Sequence, residues 1–269
     1  AVEKLDCSVD KILLTHGHYD HTGGVARLYG HEGAEAIAKA HFVVVGVGGV
    51  GSWAAEALIR TAAADITLID LDNVAESNVN RQIQAMDGNF GKAKIDVLRD
   101  RAALINPNCR LTLIEDFVNE ENVSELVGSG AVVLDCIDQV RAKAALIAHC
   151  KRAGNFVVAS GAAGGRVNPS LIKIGDLGQI KGDPLLSGVR YRLRKEYGLP
   201  KADSKGSPKP FKITAVYSDE EVKRPLGKEA CDMASQGLAC SGYGSGVVVT
   251  ATIGMQMAAV AINRVVRGA

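Results

Sequence analysis

From residue 41 the chain alternates short unbroken apolar runs with longer segments of helical period. Residues 41–46 are apolar throughout and end in glycines, the pattern of a strand covered on both faces. Residues 52–61 read as a helix, 65–70 as a second strand, and 92–106 as a helix stopped by Pro107. Residues 110–115, 131–135 and 156–160 supply three further strands, with helices at 123–127 and 141–153. Strands and helices alternating at this spacing predict an α/β protein with a doubly wound parallel sheet. The longest apolar stretch, 246–262, is interrupted by Thr250, Thr252 and Gln256 and reads as a buried helix, not a membrane span.

Residues 181–228 break the rhythm. They hold five of the seven prolines (Pro184, Pro200, Pro208, Pro210 and Pro225) with Gly and Ser, and predict a loop-rich C-terminal part. The chain has 269 residues, 47% hydrophobic and 23% charged, which fits a globular protein with a sizeable core. Its net charge of +1 argues against a surface strongly drawn to nucleic acid, but the average conceals an asymmetry. Residues 181–212 carry nine Lys/Arg against three Asp/Glu, so nucleic acid is not excluded. The six cysteines are scattered and form no CxxC pair. Neither a disulfide framework nor structural zinc is expected, and a reducing cytoplasm is the expected location. The first residues lack the basic-then-apolar order of a secretory leader.

Gly46-Val47-Gly48-Gly49-Val50-Gly51 follows the first strand and opens a helix. Glycines there let main-chain N–H groups and a helix N-terminus approach phosphate oxygens. Asp70, ending the second strand, stands where an acid can bind a ribose hydroxyl. These features alone favour a NAD-binding oxidoreductase.

The following segment changes that reading. Asp70-Leu71-Asp72, Asn78, Asn80-Arg81-Gln82 and Gly91-Lys92-Ala93-Lys94 closely resemble the adenylating enzymes of the ubiquitin-activating, ThiF/MoeB type. The resemblance implies a Rossmann-like sheet of the ubiquitin-activating-enzyme type, with ATP and Mg2+ in the glycine-loop site. Attack of a carboxylate on the ATP α-phosphate builds negative charge, which Arg81 and Lys94 would stabilise. The resemblance makes Asn78 a phosphate contact and Asp138 the magnesium-associated aspartate.

Within that superfamily several stretches are similar to the tRNA threonylcarbamoyladenosine dehydratases. They include Gly24-Val25-Ala26-Arg27-Leu28-Tyr29-Gly30, Val50-Gly51-Ser52-Trp53, Gly161-Ala162-Ala163-Gly164-Gly165-Arg166 and Ala239-Cys240-Ser241-Gly242-Tyr243. The likeness covers residues 23–269. It implies ATP-dependent adenylation of the threonylcarbamoyl carboxylate of a modified adenosine in tRNA, then cyclisation with net loss of water. It also implies a homodimer, in which Arg27 reaches the ATP phosphates of the neighbouring copy, and sulfur donor or carrier proteins as further partners. Cys240 is the candidate functional thiol, with a small buried cysteine as the plain alternative. Activation of a sulfur-carrier C-terminal glycine is the competing adenylating reading, disfavoured because such activators often hold zinc through paired CxxC motifs. A nucleotide-binding scaffold without catalysis is a further alternative. The basic run Arg190-Tyr191-Arg192-Leu193-Arg194-Lys195 reads equally as a contact for tRNA phosphates and as a solvated helix face.

Residues 9–24 resemble something different. His16-Gly17-His18-Tyr19-Asp20-His21 matches the HxHxDH motif of metallo-β-lactamase-fold hydrolases, where His16 and His18 serve one metal and Asp20 and His21 another. The fold's earlier strands and later ligands are missing. Residues 1–22 are therefore expected to be a separate segment (fused, replaced or artificial) with at most a vestigial metal cluster. The adenylating domain is expected over 23–269.

Overall fold

The computed structural model describes residues 21–222 and 243–268. Five parallel strands fall where the apolar runs predict them. These are β1 (His41–Val45), β2 (Asp65–Ile69), β3 (Arg110–Ile114), β4 (Val132–Asp135) and β5 (Phe156–Ser160). Two later strands complete the sheet: β6 (Ile172–Asp176) runs antiparallel to β7 (Thr214–Ser218), and β7 runs parallel to β5. The strand order is β3-β2-β1-β4-β5-β7-β6, so the order reverses between β1 and β4, as in doubly wound folds.

Alternation along β1 divides the core. Phe42 and Val44 belong to one buried cluster, Val43 and Val45 to the other, because successive side chains of a strand point to opposite faces. The first face is covered by α1 (His21–Lys39), α2 (Gly51–Arg60), α3 (Lys94–Ile105) and α7 (Val247–Arg267). The second is covered by α4 (Val123–Leu126), α5 (Val140–Ala153) and α6 (Pro184–Glu196). Fully buried Leu58, Leu68, Leu134 and Leu146 each contribute roughly 1.5–3 kcal/mol relative to an exposed position.

The segment expected to be loop-rich holds both α6 and β7. The physical reason is that Pro184 occupies the first turn of α6, where its missing N–H costs nothing. Asp183 caps that turn, its Oδ1 accepting the Leu186 amide at 2.9 Å. A proline taken as a loop marker is here a helix start. Helix α1 was also not foreseen. Gly24, Gly30 and Gly33 lower its propensity, and Gly30, at φ 74°, kinks it.

The last apolar stretch forms α7, which is long and apolar enough to cross a membrane by composition. In the fold its stripe of Val249, Ile253, Met257 and Ala261 is buried in the same core as α2 and β5. Its Gly254 sits so close to the first turn of α2 that a Cβ there would lie 2.4 Å from the Val50 carbonyl oxygen.

Candidate active site

A cleft of about 800 Å³ opens at the carboxyl ends of β1, β2, β4 and β5, beside the point where the strand order reverses. Open α/β sheets bind ligands in this crevice. The cleft is lined by the glycine loop, by Asp70, Asp72, Asn78, Arg81 and Lys94, by Cys136–Asp138, and by Ser160–Gly164.

The loop between β1 and α2 leaves no room for a side chain at Gly46 or Gly51. Gly46 has φ +83°, and a Cβ on it would lie 3.2 Å from the Cys136 carbonyl oxygen. A Cβ on Gly51 would lie 1.8 Å from the Gly46 carbonyl oxygen. Gly46, Gly48 and Gly49 line the cleft; Gly51 instead packs beneath the loop as the first residue of α2. Asp70 fastens the loop to the end of β2. Its Oδ2 accepts the Val47 amide at 2.7 Å and its Oδ1 the Asp72 amide at 2.8 Å. Burial raises the Asp70 pKa, while the Lys94 charge pulls it back. Gln84, wholly buried, donates to the Val47 carbonyl at 2.8 Å and supports the loop from its other side.

The cations stand on the wall after β2. Lys94 begins α3, and its Nζ lies 2.7 Å from Asp72 Oδ2 with its side chain almost buried. Arg81 follows the 3-10 turn Glu76–Asn78. Its Nη1 donates to the Ser77 carbonyl at 2.8 Å and to Asn80 Oδ1 at 3.0 Å, and its own carbonyl accepts Trp53 Nε1 at 2.9 Å. Asn78 accepts the Ala75 amide at 3.1 Å and is buried, so it shapes that turn as well as lining the cleft. Asn80 Nδ2 reaches the Ser245 carbonyl at 2.6 Å and ties this wall to the start of α7.

Asp138 lies opposite, beyond the end of β4, exposed on the cleft rim. The turn carrying it is held from below by Lys143, whose Nζ donates to the Asp135 and Ile137 carbonyls at 2.9 and 3.0 Å. Lys143 also pairs with Asp135 Oδ1 at 3.0 Å, both side chains having no exposure. Burial raises the Asp135 pKa against the pull of Lys143. The next wall, Gly161–Gly164, is pinned by Asp183, which accepts the Ala162 amide at 3.0 Å. Gly161 has no side chain for a reason: a Cβ would lie 2.6 Å from Asp183 Oδ2.

Other expected residues lie elsewhere. Arg27 is exposed on α1 and does not line the cleft of its own chain. Cys240, His16, His18 and Asp20 lie outside the described residues, and His21 opens α1. Among the described residues no group of three or more His, Cys, Asp or Glu side chains gathers to hold a metal. The basic run on α6 is partly spent inside the protein. Arg192 pairs with Glu196 at 2.6 Å, and Arg194 donates to the Gly178 and Pro200 carbonyls, each at 3.2 Å, and lies over the Phe211 ring.

Sequence reasoning missed Gln84, Lys143, Asp183 and the exposed cleft-lining aromatics Phe117 and Tyr243. Nothing in the spacing of Lys143 marks a buried ion pair. Asp183 before Pro184 carried a legible signal, the helix cap.

The glycine loop, the cation pair and the strand order together define a nucleotide-binding α/β protein of the adenylating type. The ThiF family profile matches residues 21–265, and the chain belongs to the ThiF family. It is similar to the tRNA threonylcarbamoyladenosine dehydratase of Escherichia coli, 42% identical over 90% of this chain and 92% of that protein. The enzyme of the same name from Haemophilus influenzae is 40% identical, over 91% of each chain. The solved structure of the E. coli dehydratase TcdA in complex with ATP superposes with a TM-score of 0.81 at 40% identity, covering 94% of this chain and 97% of that one. The family match begins at residue 21, and nothing supports the metallo-β-lactamase resemblance of the residues before it.

Proposed function

We propose that this chain binds ATP in the cleft and adenylates the threonylcarbamoyl carboxylate of a modified adenosine in tRNA. Pyrophosphate leaves when the carboxylate attacks the α-phosphate. The carbamoyl group of the same substituent then attacks the activated carbonyl and expels AMP, so a ring closes with net loss of water. Hydroxide is a poor leaving group and AMP a good one, which is why ATP is needed. The second step is intramolecular and gains from proximity.

One observation carries this reading: Arg81 and Lys94 stand with the glycine loop in one cleft, in a chain similar over about nine-tenths of its length to dehydratases of that name. Two cations beside the glycine loop suit a phosphorus centre gaining negative charge. The glycines seat the phosphates, Asn78 completes their cradle, and the free lone pairs of Asp70 suit a ribose hydroxyl. Asp72 holds Lys94 in place. Asp138 fits magnesium in the usual manner, one carboxylate beside the substrate phosphates; when bound, the ion offsets phosphate charge.

Three further parts belong to the same proposal. Two copies pair so that Arg27 of each, which lies outside its own cleft, reaches the other's phosphates. Cys240 acts as a functional thiol, and sulfur donor or carrier proteins interact with the chain in the cytoplasm. Residues 1–22 form a separate segment ahead of the adenylating domain at 23–269.

The test is incubation with Mg2+, ATP and threonylcarbamoyl-modified tRNA. AMP and a base lighter by one water are expected. Arg81→Ala should lower the rate by about 100-fold or more, the scale for losing a transition-state donor. An unchanged base mass with correctly folded protein overturns the reading.

A further inference from the structure

The cations best placed to meet an RNA backbone are not those of α6 but the lysines of the turn before it and the loop that follows it. Lys181, Lys201, Lys205, Lys209 and Lys212 are all exposed, and none of their side chains has an ion pair or hydrogen bond among the described residues. The nearby acids are already engaged. Glu196 pairs with Arg192, and Asp203 accepts the Lys205 and Ser207 amides at 2.9 and 2.8 Å. Asp176 accepts the Phe211 and Lys212 amides, both at 2.7 Å.

The loop is also anchored to the cleft wall. Asp176 holds its end against the turn after β6, accepting the Gly178 amide at 2.8 Å as well. Gly178 is packed against the Lys209 backbone so tightly that a Cβ would lie 2.5 Å from the Lys209 carbonyl oxygen. Arg194 bridges the Gly178 and Pro200 carbonyls, and Lys151 donates to the Phe211 carbonyl at 3.0 Å. The turn continues through Lys181 to Gly182 and Pro184, which line the cleft. Free positive charge is therefore fixed, by backbone contacts, to one rim of the site.

We propose that Lys181, Lys201, Lys205, Lys209 and Lys212 form a docking surface for the phosphate backbone of the RNA whose base enters the cleft. This rests on the tRNA-modifying function proposed above. Unpaired lysines on an anchored loop suit phosphates, which are bound by charge without base readout. Arg194 of α6 serves instead to hold the loop.

The experiment is equilibrium binding of fluorescently labelled, unmodified tRNA across a salt series, comparing wild type with a Lys201→Glu, Lys205→Glu, Lys209→Glu triple variant. The expected result is a Kd raised about tenfold or more, with the salt slope smaller by about one for each lysine removed. A matching Gln triple should show an intermediate loss. Thermal midpoints should stay at the wild-type value, since these side chains hold nothing in the fold. Wild-type Kd and slope in the triple variant overturn the docking surface, as does failure of the wild type to bind tRNA. Binding is read without turnover, so a wild type that binds through these lysines yet leaves modified tRNA unchanged overturns the chemistry and leaves the docking surface standing.

Discussion

Asp183 Oδ2 lies 3.1 Å from Arg166 Nη1, and both side chains have no exposure. The same carboxylate caps α6 and holds the Ala162 amide, so one acid joins a helix start to a cleft wall. The Arg166 Nε reaches the Glu220 carbonyl at 3.2 Å, extending the junction to the segment after β7.

Breaking this pair is expected to be costly from either side. Asp183→Ala leaves a buried guanidinium without its partner and removes a helix cap, for a loss of about 3–5 kcal/mol. Arg166→Met leaves a buried carboxylate and is expected to lose a similar amount. Urea denaturation measures both, and a midpoint within error of wild type would show the junction to be energetically silent.

The glycine loop separates two kinds of glycine. Gly51→Ala drives a Cβ to 1.8 Å from the Gly46 carbonyl oxygen, so α2 and the loop cannot both keep their places. A drop in stability of roughly 2–3 kcal/mol is expected, on the scale of an overpacked site, with loss of ATP binding by calorimetry. Gly48→Ala meets nothing closer than Gln82 Nε2 at 3.8 Å and should melt at the wild-type temperature. Equal melting of the two variants would contradict the packing described.

Glu56 gives the pH dependence its sign. Its burial works to raise its pKa, but hydrogen bonds from Arg101 and Arg60 outweigh that and hold it below the usual value. A depressed carboxylate pKa stabilises the fold above the unfolded value, near 4.3, and that contribution is lost as pH falls through the folded value. Wild type should therefore exceed Glu56→Gln by about 2–3 kcal/mol at pH 7. The gap should close on acidification below about pH 4. A gap that persists at pH 2 would assign the effect to packing.

Thiol chemistry should be quiet in the described part of the chain. Burial pushes Cys136 and Cys150 up to about 12 and Cys109 up to about 11, so almost no thiolate exists at neutral pH. Alkylation of the native protein with iodoacetamide at pH 8, read by peptide mass spectrometry, should leave these three unmodified. Rapid labelling of Cys136 would mean that the cleft floor opens.

β1, β4 and β5 were legible because parallel strands covered on both faces are continuous apolar runs, and β2 and β3 because apolar residues alternate there with polar ones. The glycine loop was legible because Gly46 and Gly51 stand where a side chain has no room. Helix α6 was obscured by Pro184, a residue that punctuates loops and helix starts alike, and β7 by the prolines on either side of it. The grouping of Arg81, Lys94 and Asp138 in one cleft was suggested by family resemblance. The pairs Asp135–Lys143 and Asp183–Arg166 were not suggested by anything, because each joins residues whose proximity exists only after the sheet has formed.

The contact between Gly254 and the Val50 carbonyl has a temporal meaning. It joins positions roughly 200 residues apart, the kind of non-local pairing that folds late because loop closure must precede any gain. During synthesis the glycine loop leaves the ribosome long before the helix that backs it. A nascent chain lacking α7 carries the nucleotide-binding sequence without the wall that sets its shape, so the ability to hold ATP arises only once α7 has been made.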